Sequence, residues 1–167
     1  MTGNTTGLIL IPMTLQDYSV YVPYVVADYA TRTMAAGVVS LEDAEARAHK
    51  EFSRLLPNGL DTPDNMLCTI GVEEEENPVG RLWYALRGAG ESRYAMILNV
   101  EVDVEYRGRG YGKAVMQACA VSARAQGARN LRINLLGEDI GNKKLYEALG
   151  MTEMSVLMNW NLTTADS

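Results

Sequence analysis

The chain of 167 residues is poor in the residue types that decide many functions outright. It holds two cysteines, one histidine and one phenylalanine. Cys68 and Cys119 lie far apart inside apolar-patterned segments, which predicts buried, reduced thiols rather than a disulfide or redox pair. The single His49 has no cluster of further donors around it. No metal is therefore expected, and His49 reads as a residue on the solvated face of a helix. No apolar run comes near the ~18 residues needed to cross a bilayer, so no membrane partner is expected either. The opening MTGNTTGLILIPM has no Lys or Arg and only a short apolar stretch, unlike a secretion signal, and points to a cytoplasmic protein. Repeats, low-complexity tracts and Pro/Gly/Ser linkers are missing, which leaves one domain over residues 1–167. What is there, 47% hydrophobic and 22% charged, is ordinary globular usage and excludes disorder, collagen and coiled coil.

Charge is unevenly spread. Residues 1–105 hold 7 basic and 16 acidic side chains, residues 106–146 hold 8 basic and 2 acidic, and residues 147–167 hold 3 acids and no base. An acidic chain with a formal charge of −6 speaks against nucleic-acid binding, which wants a basic face. A compact basic island suits a small polyanionic ligand, although chance clustering on a solvated surface would look the same.

Hydrophobic spacing and turn signals predict a strand at 7–13, then a helix opened by Thr14 with Asp17 as a capping box and bent or restarted at Pro23. Ser40 and Asp43 predict a second cap, launching an amphipathic helix that ends before Pro57. Strands follow at 66–72, 79–87 and 94–104, the first two separated by the acid run Glu73 to Glu76, read as a solvated hairpin turn. A helix over 110–126 is stopped by Gly127. A strand at 130–136, a helix at 139–149 and a final strand at 154–162 complete the order βααβββαβαβ, an α/β domain of mixed sheet. In strand 94–104 the apolar residues Met96, Leu98, Val100, Val102 and Val104 fall on one face, and Asn99, Glu101 and Asp103 on the other. The last strand, ending in MNWNL, reads equally as an unpaired edge or as one that pairs with a neighbour's sheet.

Between strand and helix lies Arg107-Gly-Arg-Gly-Tyr-Gly-Lys113. Three alternating glycines leave successive N–H groups unobstructed where a helix starts, and the helix dipole adds positive potential there. With Arg107, Arg109 and Lys113 beside it, the turn predicts a phosphate-bearing ligand. A nucleotide P-loop is excluded because Ala114 stands where Ser or Thr should and Arg107 where the first Gly should. A dinucleotide fingerprint fails because the third Gly comes one residue early and the turn falls late in the chain.

The same residues resemble a known family. Arg107-Gly-Arg-Gly-Tyr-Gly112, after Val100-Glu-Val-Asp-Val104, is similar to the Arg/Gln-x-x-Gly-x-Gly/Ala signature of the GNAT superfamily of N-acetyltransferases. Asn142-Lys-Lys-Leu-Tyr146-Glu-Ala-Leu-Gly-Met151 resembles its second signature in loose form, at the usual distance. The resemblance covers residues 7–162. It implies the GNAT fold, a single mixed central sheet flanked by helices, with splayed central strands. It also implies acetyl-CoA as cosubstrate, its diphosphate on the amides of Arg107, Gly108, Arg109, Gly110, Tyr111, Gly112 and Lys113. The pantetheine arm would pair along the strand at Val102 and Val104, and Asn142 would touch it. A backbone N–H of that strand would polarise the thioester carbonyl.

In the family's pattern Tyr146 is the general acid toward the departing thiolate, and a carboxylate on the strand before the turn takes the amine's proton. Glu101 fills that place, with Asn99 beside it to position water or acceptor. Val104 stands where many relatives have Pro. No cysteine lies on that strand or beside the glycine turn, so the implied reaction is direct transfer in a ternary complex to a small-molecule or peptide amine. Residues 15–63 would shape the acceptor side. Tyr18, Tyr21, Tyr24 and Tyr29 read as core or as pocket there, and the acidic N-terminal part favours a cationic acceptor. A non-catalytic acyl-CoA-binding sensor is the alternative reading.

Overall fold

The computed structural model describes residues 7–35, 37, 41–136, 141–160 and 162. After β1 (Leu8–Pro12), Thr14 and Asp17 open the first helix as a reciprocal cap. The Asp17 N–H donates to Thr14 Oγ1 at 3.1 Å, and Thr14 N–H donates to Asp17 Oδ2 at 2.8 Å. These bonds hold the Asp17 carboxyl below its ordinary range. The helix, α1 (Leu15–Ala35), runs on through Pro23 without restarting. One ladder hydrogen bond given up on a long, well-packed helix does not break it. The expected cap at Ser40 lies outside the described residues, and α2 (Leu41–Leu55) follows. His49 is exposed on α2, as its lone occurrence suggested.

The sheet has the order β1-β2-β3-β4-β5, with β2 (Asn65–Val72), β3 (Gly80–Arg87), β4 (Tyr94–Val102) and β5 (Asn130–Ile133). All neighbours are antiparallel except β4 and β5. Helix α3 (Tyr111–Ala125) joins that parallel pair, and α4 (Lys143–Ala148) follows β5. Each face of the sheet carries its own core. Ile70, Leu82, Ile97, Val115 and Cys119 pack on the α3 side, and Tyr21, Ala48, Phe52 and Trp83 on the α1–α2 side. Cys68 and Cys119 are both free and buried, and burial pushes the Cys119 thiol up to about 12.

Two departures from the sequence pattern place the site. Trp83 of β3 pairs with Asn99, whereas the next residue, Tyr84, pairs with Ile97, so Leu98 is an extra residue in β4. This bulge shifts the alternation. Ala95 and Ile97 share the α3 core with Val100 and Val102, while Leu98 packs on the α1–α2 side and Asn99 is buried against Tyr21. Strict alternation had put Leu98 with Val100 and set Ile97 against both. Second, β4 pairs with β5 only from Tyr94 to Ile97. β5 ends there, at Ile133, while β4 runs on to Val102.

The ends differ too. Strand β4 stops at Val102, and Val104 sits in a single 3-10 turn (Val104–Tyr106) with 72% of its surface exposed. The chain has turned away from the ladder before it reaches Val104. The expected helix 139–149 is shorter, and residues 139 and 140 lie outside the described ones. The expected final strand is absent among the described residues, since 151–160 form no regular element. Among the described residues no helix is long and apolar enough to cross a membrane.

Gly80 faces the bulged strand so closely that a Cβ there would run into the Glu101 carbonyl. Gly80→Ala is therefore expected to lower stability by ~1–3 kcal/mol, as overpacking does, read as a shift of the urea midpoint. In the same experiment the two thiols should react with a disulfide reagent only as the chain unfolds.

Candidate active site

Where β4 leaves β5, a cavity of about 480 Å³ opens. Its walls include Asn99, Glu101 and Val102 of β4, Arg107, Gly108, Gly110 and Gly112 of the turn, and Asn142 and Tyr146 at α4. The structure thus brings most of the expected site residues together. Val104, Arg109 and Lys113 do not line it.

The turn follows from its glycines. Gly108 and Gly110 take φ of 76° and 84°, the left-handed region that side chains resist. Gly110 is also the N-cap of α3, and having no side chain it cannot cap the helix itself. Among the described residues, the N–H groups of Gly108 through Lys113 meet no acceptor. The Arg107 N–H is different: it donates to Val104 O at 3.3 Å, closing the 3-10 turn. The expected run of free amides therefore begins at Gly108. Gly112 lies against α4, where a Cβ would stand in ordinary contact with Leu145 at 3.4 Å, and buried Tyr146 of α4 lines the cavity wall.

The flanking cations are partly committed. Arg109 pairs with Glu75 at 2.8 Å and donates to Glu105 O at 3.2 Å, with its guanidinium over the Tyr106 ring. The acid run is thus not wholly solvated, since Glu75 ties the β2–β3 turn to the glycine turn. Arg107 folds back, its Nε donating to Val102 O at 2.9 Å.

On the opposite wall Glu101 is held from three sides. Tyr24 Oη donates to its two oxygens at 2.7 and 2.8 Å, and the guanidiniums of Arg81 and Arg107 lie 3.8 and 3.9 Å away. Asn99 is buried, and its Oδ1 accepts the Tyr21 hydroxyl at 2.9 Å. Both tyrosines come from α1, which also sends Asp28 and Arg32, paired at 2.9 Å, to the cavity. Residues 21, 24, 28 and 32 recur at three- and four-residue steps and so share one helix face. That polar stripe was the signal in the sequence for this wall of the cavity. A second cavity of about 420 Å³, lined by Val20, Tyr24, Arg81, Asp103, Val104 and Glu105 among others, meets the first at Glu101. Tyr18 packs against the α1–α2 core and Tyr29 stacks edge-on with Phe52. No group of three or more metal-ligating side chains occurs among the described residues.

The sequence pattern that defines the acetyltransferase (GNAT) family matches residues 31–151. The N-acetyltransferase YycN of Bacillus subtilis (strain 168), itself uncharacterised, is 32% identical over 155 residues, 93% of this chain and 99% of that protein. Its crystal structure superimposes with a TM-score of 0.87 over 93% of this chain and 98% of that one. A GCN5-related N-acetyltransferase from Ralstonia eutropha JMP134 shares 18% identity with a TM-score of 0.65 over 93% of this chain and 99% of that one. Glucosamine-6-phosphate N-acetyltransferase from Arabidopsis thaliana shares 17% with a TM-score of 0.56, covering 93% and 98%. These last two establish the fold alone.

Burial, and then the bond to Glu101, push the Tyr24 hydroxyl up from 10.0 to about 12. A raised value means that the folded chain keeps a proton which the unfolded chain releases near pH 10. The contribution is therefore complete below pH ~10 and is lost as pH climbs toward 12. Urea midpoints of the native chain and of Tyr24→Phe should differ by a constant amount from pH 7 to 9 and draw together above 10. A gap that stays unchanged to pH 11.5 would contradict the Tyr24–Glu101 contact.

Proposed function

Because the chain belongs to the acetyltransferase (GNAT) family, we propose that it moves an acetyl group from acetyl-CoA to a primary amine by direct transfer in a ternary complex. The observation that carries this reading is one continuous cavity. It runs from the unsatisfied amides of the glycine turn to Tyr146 on one wall and Glu101 on the other.

The residues fit the cosubstrate. Orphan N–H groups from Gly108 to Lys113, at the positive end of α3, suit a diphosphate. Open space where Cβ atoms of Gly108 and Gly110 would stand allows it to approach the backbone. Among the described residues, the stretch of β4 beyond Ile97 has no strand on its β5 side, so an extended amide-bearing arm can pair with it near Val102. Asn142, at the mouth of α4, is placed to touch that arm. Acetyl-CoA, when bound, supplies the thioester.

The remaining chemistry belongs to the chain. Glu101, a carboxylate with lone pairs beyond those that Tyr24 fills, takes a proton from the incoming ammonium directly or through water. The freed nitrogen attacks the carbonyl carbon, a C–N bond forms, and a backbone N–H of β4 stabilises the oxyanion. As the C–S bond breaks, the nitrogen gives its second proton to solvent, and Tyr146 Oη hands its own to the departing sulfur and recovers one from solvent. Asn99, locked by Tyr21, shapes the acceptor wall. Both cysteines are buried, away from the cavity lining, which disfavours an acyl-enzyme.

CoA should raise the melting temperature of the chain, as any native-state ligand must. An amine panel scored for thiol release should show turnover, with Tyr146→Phe and Glu101→Gln each lowering kcat by about 10²-fold or more. CoA binding should be unchanged in both variants. Binding without thiol release from any amine would favour a sensor instead, and intact turnover in both variants would remove these two roles.

A further inference from the structure

With acetyl-CoA laid along the first cavity, from the glycine turn to Tyr146, the amine has to reach Glu101 from another side. The second cavity opens there. Its volume of about 420 Å³ falls within the range of small-molecule sites, and Glu101 lines both cavities.

The two cavities differ in charge. In the first, Glu101 and Asp28 are matched by Arg107 and Arg32, and the open amides add positive potential. In the second, three carboxylates, those of Glu101, Asp103 and Glu105, face the single guanidinium of Arg81. That guanidinium is divided. It lies 3.8 Å from Glu101 and 3.3 Å from Asp103, and 5.2 Å from the centre of the Tyr24 ring. Charge-assisted bonds run at about 2.7–2.9 Å, so Arg81 matches neither carboxylate closely. Asp103, its side chain 24% exposed, has no nearer cation among the described residues and keeps lone pairs for one.

Between these charges the walls are apolar. Val20 and Val104, 71 and 72% exposed, line the cavity together with Tyr24. The space therefore suits a molecule with a cation at each end and hydrocarbon between. Its length follows from the strand. Asp103 keeps extended backbone, with φ of −60° and ψ of 146°, so it lies two strand residues, about 6–7 Å, beyond Glu101. A staggered alkyl chain advances about 1.25 Å per bond, so four or five methylenes hold two nitrogens that far apart.

On the acetyl-transfer reading of Glu101, on which this rests, we propose that the acceptor is a linear alkyl diamine lying in the second cavity. One nitrogen stands at Glu101, the methylenes pass Val20 and Val104, and the far ammonium meets Asp103 and Glu105. The near ammonium gives one proton to Glu101 and one to solvent, and its C–N bond forms as the thioester C–S bond breaks. The products are a monoacetyl diamine, free CoA thiol and one proton net. The far ammonium keeps its proton. A product turned end for end sets an uncharged amide against Asp103, so each molecule takes one acetyl group.

Thiol release by the full chain should be compared for the terminal diamines of butane and pentane and for butylamine and pentylamine. The diamines should have kcat/KM about 10²-fold higher, as a charge-assisted bond at the far end implies, and each product should carry one acetyl by mass. Ethylenediamine, too short to reach Asp103, should gain far less. Asp103→Asn and Glu105→Gln should each lower the diamine-to-monoamine ratio about 10-fold, through KM, with the CoA-induced rise in melting temperature showing that the fold is kept. A diamine no better than the monoamine of equal length overturns this inference and leaves acetyl transfer standing. So does a ratio indifferent to both substitutions, or a peptide amine that outruns the diamines. No thiol release from any amine, with CoA still bound, brings down the acetyl-transfer reading itself and this one with it.

Discussion

The site depends on one extra residue in one strand. With Leu98 inserted opposite Trp83 and Tyr84, β4 stays paired with β3 on both sides of the bulge, while on its other edge it pairs with β5 only as far as Ile97. β5 ends at Ile133, opposite Ile97, so the backbone groups of β4 beyond that point are not consumed in a parallel ladder. Instead they border a cavity. The bulge also rotates the strand so that Asn99 and Glu101 face α1 while Val100 and Val102 stay in the α3 core. Gly80 allows this, since it is the residue across from Val102 whose missing side chain admits the bent strand. Bulges are costly in ladder bonds, and persist where a side chain must be re-aimed.

A second economy operates at the glycine turn. A helix usually caps its own first amides with Ser, Thr, Asp or Asn, as α1 does with Thr14 and Asp17. At α3 the capping position is Gly110 and the amides are left open. The chain therefore uses both endings within one fold, a self-satisfied terminus where the helix is structural and an unsatisfied one where it faces the cavity. Arg109 is engaged by Glu75, so what the turn leaves open are backbone N–H groups at the positive end of α3.

How much of this was legible in the sequence depends on range. Local features were readable: the Thr14–Asp17 cap, the glycine turn, the second motif around Tyr146, and the order of elements through α4. The phase of β4 was not, because alternation in the sequence runs unbroken through Leu98 and only pairing with Trp83 and Tyr84 reveals the slip. The Arg109–Glu75 pair spans 34 residues and leaves no local trace. The α1 stripe from Tyr21 to Arg32 was visible as spacing, but tyrosines at helical intervals look the same whether they fill a core or a wall. Tyr21 packs inward, Tyr29 stays 39% exposed with its ring edge-on to Phe52, and Tyr24 reaches Glu101.

The final segment shows where pattern and structure diverge for a physical reason. A strand is not a property of nine residues: its alternation declares a preference that only an edge can satisfy. In residues 152–160 the alternation is present, but among the described residues the segment pairs with no strand. Exposed apolar side chains at this density are rare on a solitary protein, where the largest patch is ~300–600 Å² and tends to serve contact. β5 is short, and for that reason β4 runs on past it to Val102 and borders the cavity with its unshared half.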